Sequence, residues 1–166
     1  MMDPLACLTR ASSSSVTEMT EYVLPQHTNA FGTVFGGQMM AWIDLCGAIC
    51  AQRHSGYECV TAFVDNLRFT APVKVGEVVL LRAHVTAIFC TSMEVEVVVR
   101  GEDARSRRTW PCVNTYLTFV ATDAAGKPVQ VPLLELDTPE SRASQEAGER
   151  RRKLRMEHQT HDISTE

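Results

Sequence analysis

The stretch from residue 39 to residue 51 constrains the fold most, because Asp44 is its only polar side chain. A helix that is apolar on every face is surrounded by protein, and this stretch is shorter than the about 20 apolar residues that span a bilayer. Gly36 and Gly37 mark a helix start with open backbone N–H groups, and Gly56 is suited to a left-handed C-terminal cap. The sequence therefore predicts one central helix that the rest of the chain encloses.

Asp44 breaks the apolar pattern of this helix. An ionised carboxylate buried without a partner costs several kcal/mol, so its presence needs an explanation. One interpretation is a functional group, because violations of local apolar filling often mark functional sites. The other is an aspartate that caps a loop or pairs with an arginine. The helix sequence by itself leaves both interpretations open.

Alternating apolar and polar residues predict β-strands on both sides of the helix. A first strand is predicted over residues 14–24, and four more follow over residues 59–69, 79–89, 93–100 and 109–121. A bulge is expected at Asp65 and Asn66, where the alternation is imperfect. No βαβ alternation or phosphate-binding glycine loop is present. The sequence therefore predicts an α+β fold in which an antiparallel sheet wraps around the central helix.

The 166 residues are most simply one domain. Residues 1–13 are Ser-rich and aperiodic, which predicts a flexible N-terminus, and residues 14–137 form the domain itself. Residues 138–166 are strongly polar, and the spacing of their charges predicts an extra, solvated C-terminal helix followed by a tail.

Composition excludes several classes of function. A net charge of −4 gives no broad surface for nucleic acid, and we expect no insertion into a membrane. The six cysteines are scattered without a CxxC pair, as in a protein of a reducing compartment, and we expect no metal site. The N-terminal residues lack a secretory signal, so we expect a cytoplasmic protein.

Several motifs, taken together, resemble one family of enzymes. They are Asn29-x-x-Gly32-x-x-Phe35-Gly36-Gly37, Met40-x-x-x-Asp44, Ala51-x-Arg53-His54, Val60-Thr61-x-x-Val64-Asp65, Thr91-Ser92-Met93-Glu94 and Gly126-Lys127-Pro128. Over roughly residues 16–155 the chain is similar to acyl-CoA hydrolases of the cytosolic, brain-type and bacterial YciA-like group. The resemblance implies a hotdog fold and hydrolysis of an acyl-CoA thioester. It also implies a trimer of dimers and no cofactor besides the coenzyme A of the substrate.

The same resemblance implies roles for individual residues. Asn29 in the loop and Asp44 in the helix become the catalytic pair, while Thr91, Ser92 and Met93 become an edge along which the CoA arm lies. Without the resemblance, Asn29 is better explained as a turn residue that bonds its own backbone. Residues 91–93 are then a plain strand start.

Thioester hydrolysis also needs donors for the oxyanion that develops at the carbonyl. The open N–H groups near Gly36 and Gly37, at the positive end of the helix dipole, are suited to that role. Asp44 lies seven residues beyond Gly37, roughly 10 Å along the helix, so one helix cannot present both groups to one carbonyl. Two antiparallel helices related by a twofold axis can, which predicts a homodimer as the minimal unit. Whether Asp44 activates water or attacks the carbonyl directly stays open.

The basic run and the overall function each have an alternative interpretation. Arg150 and Lys153 bound a basic run that either meets CoA phosphates or is a solvated face. A hotdog hydratase or dehydratase and a non-catalytic acyl-CoA-binding protein compete with the hydrolase. The hydratase requires a histidine in the site, and the helix has none before His54. Release of free thiol from a panel of acyl-CoAs separates the three.

Overall fold

An antiparallel sheet of five strands curls around one long helix in the computed structural model, which describes residues 8–162. The strands are β1 (Thr9–Arg10), β2 (Thr17–Tyr22), β3 (Glu58–Val64), β4 (Val78–Phe89), β5 (Ser92–Asp103), β6 (Arg108–Thr122) and β7 (Leu133–Leu134). The helices are α1 (Gly36–Ser55) and α2 (Pro139–Asp162), with short 3-10 turns at Ser12–Ser15 and Pro25–His27. The predicted α+β hotdog fold is confirmed.

The strand order of the main sheet is β2-β4-β5-β6-β3, and each neighbouring pair is antiparallel. Strands β2 and β3 are therefore the two edges. The short strands β1 and β7 pair in parallel as a separate two-stranded sheet. An edge strand carries unpaired backbone groups, so β3 is open to pairing with another chain.

Helix α1 begins and ends where the glycines predict. Phe35 is its N-cap residue and makes no side-chain capping bond. Gly56 takes the left-handed conformation with φ 79°, and its N–H donates to the Gln52 carbonyl at 2.8 Å. Glycine fits this C-cap because it has no Cβ to clash at positive φ. Within residues 8–162 no helix combines the length and apolar character needed to cross a bilayer.

The inner face of the sheet and α1 enclose one apolar core. Alternate residues of the central strands are buried, as their pattern predicts: Val79, Leu81, Ala83, Val85, Met93, Val95, Val97 and Val99. Ile43, Cys46 and Cys50 meet them from α1 with no exposed surface. Gly47 brings the helix close, since a Cβ there would lie only 3.0 Å from the Phe119 ring.

The irregularity of β3 lies between Thr61 and Phe63, so the predicted bulge at Asp65 and Asn66 is wrong. The Asp65 N–H still donates to the Tyr116 carbonyl at 2.8 Å, which keeps the chain against β6 beyond the end of the strand. The imperfect alternation at residues 65–66 therefore marks the exit from the sheet.

The N-terminal segment predicted to be flexible over residues 1–13 lies partly outside the described residues. Within the described part, Thr9–Arg10 form β1 against Leu133–Leu134. Arg10 also donates to the His54 carbonyl oxygen at 2.6 Å, near the end of α1. This segment therefore seals the C-terminal end of the central helix.

Helix α2 packs across the outer face of the sheet. Gly148 is buried there, and a Cβ on it would lie 2.4 Å from the Ala87 Cβ. Arg151 donates two hydrogen bonds to Glu94, whose side chain has no exposed surface. The extra helix is confirmed, but the prediction that it is solvated is wrong for this face. The polar sequence of α2 does not indicate which of its charged residues pair with charged residues of the strands, as Arg151 does with Glu94.

Candidate active site

The start of α1 presents open backbone donors. Among the described residues, the N–H groups of Gly36, Gly37 and Gln38 have no hydrogen-bond partner, and the first bonded one is Met39, which donates to the Phe35 carbonyl at 3.0 Å. A Cβ on Gly37 would lie 2.6 Å from the Phe35 ring, so glycine is required for this ring position. The helix dipole adds positive potential at this end. The arrangement suits an oxygen that gains negative charge.

Asn29 lies in the loop that leads into α1. Its Oδ1 accepts hydrogen bonds from the Phe31 N–H at 3.0 Å, from the Thr33 N–H at 3.3 Å and from the Thr33 hydroxyl at 3.2 Å. Gly32, with φ 71°, closes this turn. The side-chain NH₂ group has no partner among the described residues. Asn29 is thus the turn residue of the simpler interpretation, and it also holds a free, oriented donor.

Asp44 is half-buried in α1 and accepts a hydrogen bond from the Thr61 hydroxyl at 2.5 Å. Thr61 lies on the edge strand β3, next to its bulge. The hydroxyl holds Oδ1 and leaves Oδ2 without a partner among the described residues. The Asp44 carboxylate is therefore supported by one hydroxyl of its own chain and reaches the surface of that chain.

Thr61 is a residue whose role the sequence analysis missed. It stands within the motif that begins at Val60, but nothing in that pattern links it to Asp44. The two are 17 residues apart and meet because β3 runs back beside α1. The sequence does place a hydroxyl residue on the first strand after the helix that carries Asp44, and this was the available indication of a partner for Asp44.

From residue 39 to residue 51, helix α1 is apolar on every face apart from Asp44, yet its own chain does not cover every face. Gly37, Ala41 and Leu45 line an exposed stripe, with Leu45 50% exposed. Exposed apolar patches are a feature of interaction sites, and the single chain leaves this stripe uncovered. Asp44 lies beside it, between Ala41 and Leu45 in the sequence.

Asn29 and Asp44 are not hydrogen-bonded to each other within the described chain. Asn29 lies with the open helix start, whereas Asp44 lies two turns further along α1 beside Thr61. The separation of roughly 10 Å between Gly37 and Asp44, expected from helical rise, therefore applies to the folded chain. One chain thus places Asn29 and Asp44 apart, and their catalytic assignment stays a prediction.

Thr91 lies in the turn between β4 and β5, and Ser92 and Met93 are the first two residues of β5. The Thr91 carbonyl accepts from the Ala121 N–H at 3.0 Å, and Ser92 pairs with Phe89 and Val120 on its two sides. The Met93 side chain has no exposed surface and belongs to the core. Because β5 is a central strand, its backbone is already paired here. Of this trio, the Thr91 and Ser92 side chains remain the accessible groups.

The basic run divides into residues with different surroundings. Arg150 faces the exposed Glu146 at 4.0 Å, and Arg151 is bound to Glu94. Arg152 stacks on the Phe89 ring, 4.9 Å from its centroid. With Lys153 it lines a surface groove of about 470 Å³ beside α2. Only the last two basic residues of the run line that groove.

The buried cysteines are poor nucleophiles. Burial raises the pKa of the Cys46 thiol to about 11 and that of Cys50 to about 12. Both remain protonated at neutral pH, and the thiolate is the reactive form. Among the described residues, no three His, Cys, Asp or Glu side chains converge as metal ligands. The candidate groups that remain are therefore the Asn29 amide and the open N–H donors at the helix start, and the Asp44 carboxylate two turns further along α1.

A family model described as the thioesterase superfamily matches residues 31–107. YkhA of Bacillus subtilis, named an uncharacterized acyl-CoA thioester hydrolase, is 38% identical over 152 residues, covering 89% of this chain and 88% of that protein. Mouse acyl-coenzyme A thioesterase 11 is 38% identical over 135 residues, covering 81% of this chain. The chain spans about a quarter of the length of that protein and of the rat acetyl-coenzyme A thioesterase that it also matches.

Solved structures agree. A hexameric acyl-CoA thioesterase in its apo form superposes with a TM-score of 0.86 at 34% identity, covering 91% of this chain and 97% of that one. A Staphylococcus aureus acyl-CoA hydrolase in complex with butyryl coenzyme A and coenzyme A gives 0.85 at 33% identity, covering 95% and 96%. Variants of that enzyme with an aspartate, an asparagine or a threonine replaced by alanine have also been solved. The chain therefore belongs to the thioesterase superfamily, among the hotdog-fold acyl-CoA thioesterases.

Proposed function

We propose that this protein hydrolyses acyl-CoA to a carboxylic acid and free coenzyme A. The observation that carries the proposal is the Asp44 carboxylate, held by the Thr61 hydroxyl at the edge of an uncovered apolar face of α1. A general base needs a fixed orientation and access to water, and this carboxylate has both. Its family relatives are named as hydrolases of the same class of thioester.

The reaction uses water as the nucleophile. Oδ2 of Asp44 takes a proton from water while the water oxygen bonds to the thioester carbon. The carbonyl oxygen becomes an oxyanion and accepts hydrogen bonds from the N–H groups of Gly37 and Gln38. Collapse of this intermediate breaks the C–S bond, and the proton held by Asp44 passes to the departing thiolate. Asn29 directs its free NH₂ group at the reacting carbonyl region.

Each site draws on two chains. The open helix start and Asn29 of one chain face Asp44 and Thr61 of its twofold partner, because a single α1 separates these groups by roughly 10 Å. The exposed stripe of α1 and the open edge of β3 supply the surface for such a pair. Assembly as a trimer of dimers is in keeping with the hexameric relative.

Mixing two inactive variants tests both parts of the proposal. Asn29→Ala and Asp44→Ala homodimers each carry a lesion in both sites. When equal amounts are unfolded and refolded together, half the dimers are mixed, and each mixed dimer has one intact site. About a quarter of wild-type thiol release therefore returns.

The control is the same refolding of each variant with itself, with exchange followed by mass spectrometry of tagged chains. Recovery no higher than the mean of the two variants, with exchange complete, refutes the composite site. A wild-type protein that changes double-bond absorbance without releasing thiol is a hydratase. One that binds acyl-CoA without turnover is a binding protein.

A further inference from the structure

A mainly apolar groove begins at the start of α1 and is separate from the surface groove beside α2. Its volume is about 280 Å³. Met39 and Val73, both nearly fully buried, lie at its base, and Val34, Phe69 and Ala71 contribute to its sides. No charged side chain lines it within the described residues. A groove of this composition is suited to a hydrocarbon chain.

The walls of the groove are held in place by hydrogen bonds. The Val34 N–H donates to the Val73 carbonyl at 2.8 Å, which ties the two walls together. The Thr70 N–H donates to the Cys112 carbonyl at 2.9 Å, and the Trp110 indole N–H donates to the Pro72 carbonyl at 3.2 Å. The groove therefore exists before a ligand arrives, which lowers the entropic cost of binding.

The groove meets the oxyanion donors at Gly36. The Phe69 ring lies 3.7 Å from the position that a Gly36 Cβ would take, so it covers the first turn of the helix. A thioester whose carbonyl oxygen rests on the Gly37 and Gln38 N–H groups has one of its two arms beside this ring. The pantetheine arm carries two amides that need hydrogen-bond partners when buried, whereas the acyl arm needs none.

We propose that this groove binds the acyl chain of the substrate and that Phe69 and Ala71 determine chain-length preference. The inference rests on the proposed thioesterase function. An apolar cavity of about 150 Å³ holds a six-carbon ring; on that scale the groove accommodates roughly ten carbons. The preferred substrates are therefore medium-chain acyl-CoAs.

A series of straight-chain acyl-CoAs from two to sixteen carbons tests the inference by thiol release. For the wild type, kcat/KM rises by about two- to fourfold per added methylene, the upper value being that of full burial. The rise stops near ten carbons, where the chain leaves the groove. A profile that is flat from two to ten carbons overturns the inference while leaving the hydrolase intact.

Two variants test the groove in opposite ways: Phe69→Ala opens it, and Ala71→Leu fills it. Phe69→Ala removes its cover, and since this ring is 49% exposed, the core is not opened. Its loss of kcat/KM grows with chain length, reaching about tenfold at ten carbons, as expected for removing several methylene contacts. Ala71→Leu fills the groove and moves the preferred length to shorter chains.

Leu154→Ala is the matched control, because Leu154 is an exposed apolar residue on α2, away from the groove. Its profile follows the wild type. A loss in Phe69→Ala that is equal at every chain length means that the groove holds the pantetheine arm, which refutes the proposal. If the wild-type protein releases thiol from none of the substrates, the proposed function itself has failed. Thermal melting of each variant checks that the variant is folded.

Discussion

Helices α1 and α2 cover opposite faces of the same sheet, and different forces hold them there. α1 packs through apolar residues such as Ile43 and Cys46, which have no exposed surface. α2 is mostly polar and docks through the Arg151–Glu94 ion pair and the close approach at Gly148. Apolar burial is non-directional, whereas a charge pair inside a protein needs a specific partner and geometry.

The two helices also differ in the surroundings of the carboxylate associated with each: Asp44 within α1 and Glu94 beneath α2. Asp44, in the apolar helix, is half-buried and bound by one hydroxyl, which leaves it accessible to water. Glu94, beneath the polar helix, is fully buried and accepts from Arg151 and from the Thr86 hydroxyl at 2.7 Å. Arg155 lies 3.6 Å from its other oxygen. The Asp44 carboxylate is thus accessible to water, whereas both oxygens of the Glu94 carboxylate are occupied by contacts that hold α2 on the sheet.

The largest expected effect tests the α1 side of this contrast. Asp44→Asn keeps the shape and the Thr61 contact but removes the base, so kcat for thiol release falls about 10²- to 10⁴-fold. Thermal stability stays close to that of the wild type, because the side chain is not sealed in the core. Turnover within about threefold of wild type would contradict the role of Asp44 as a base.

The corresponding test on the α2 side is Arg151→Ala. It leaves the Glu94 carboxylate buried without its bidentate partner, which lowers the free energy of unfolding by about 3–5 kcal/mol, measured by urea denaturation. Arg150→Ala is the matched control, since its Glu146 partner is exposed, and it changes the same quantity by less than about 1 kcal/mol. Equal free energies of unfolding for the two variants would contradict the claim that the buried Arg151–Glu94 pair holds α2 in place.

The close approach of α2 gives a smaller effect. Gly148→Val places a side chain where even a Cβ would lie 2.4 Å from Ala87 and 3.0 Å from the Glu94 carboxylate. Overpacking of this kind costs about 1–3 kcal/mol. Ala143→Val, at an exposed position of the same helix, controls for helix propensity. Limited proteolysis should release α2 in the first variant and not in the second.

The smallest effect is a pH dependence of stability. Burial, with a smaller contribution from nearby Arg10, lowers the pKa of His54, and burial also lowers the pKa of His84. The unfolded chain therefore takes up protons first, and unfolding becomes easier as pH falls below about 6.5. His84 has a partially compensating Glu96 at 3.4 Å, whereas His54 has none among the described residues.

Melting temperatures between pH 7 and pH 5 check this prediction. His54→Gln keeps a donor for the Pro132 carbonyl but does not titrate, so its melting temperature should fall less steeply with acidification. His84→Gln should change the slope less. A steeper fall in His54→Gln than in the wild type would reverse the predicted sign.

The sequence by itself determined the parts of this protein that follow from periodicity and backbone chemistry. The extent of α1 between its glycines, the inward residues of β4 and β5, and the family motifs around Asn29 and Asp44 were all readable in this way. These features are local, because a side chain's face on a helix or strand depends on its spacing along the chain.

Only the tertiary structure decided which distant groups meet. Thr61 became the partner of Asp44, Glu94 became the buried acceptor of Arg151, and the stripe at Leu45 was left uncovered. Each of these depends on how β3 and α2 pack against other elements. Residues far apart along the chain carry no periodic signal of their contact, and whether a charge is solvated or paired depends on the groups that folding brings within a few ångströms.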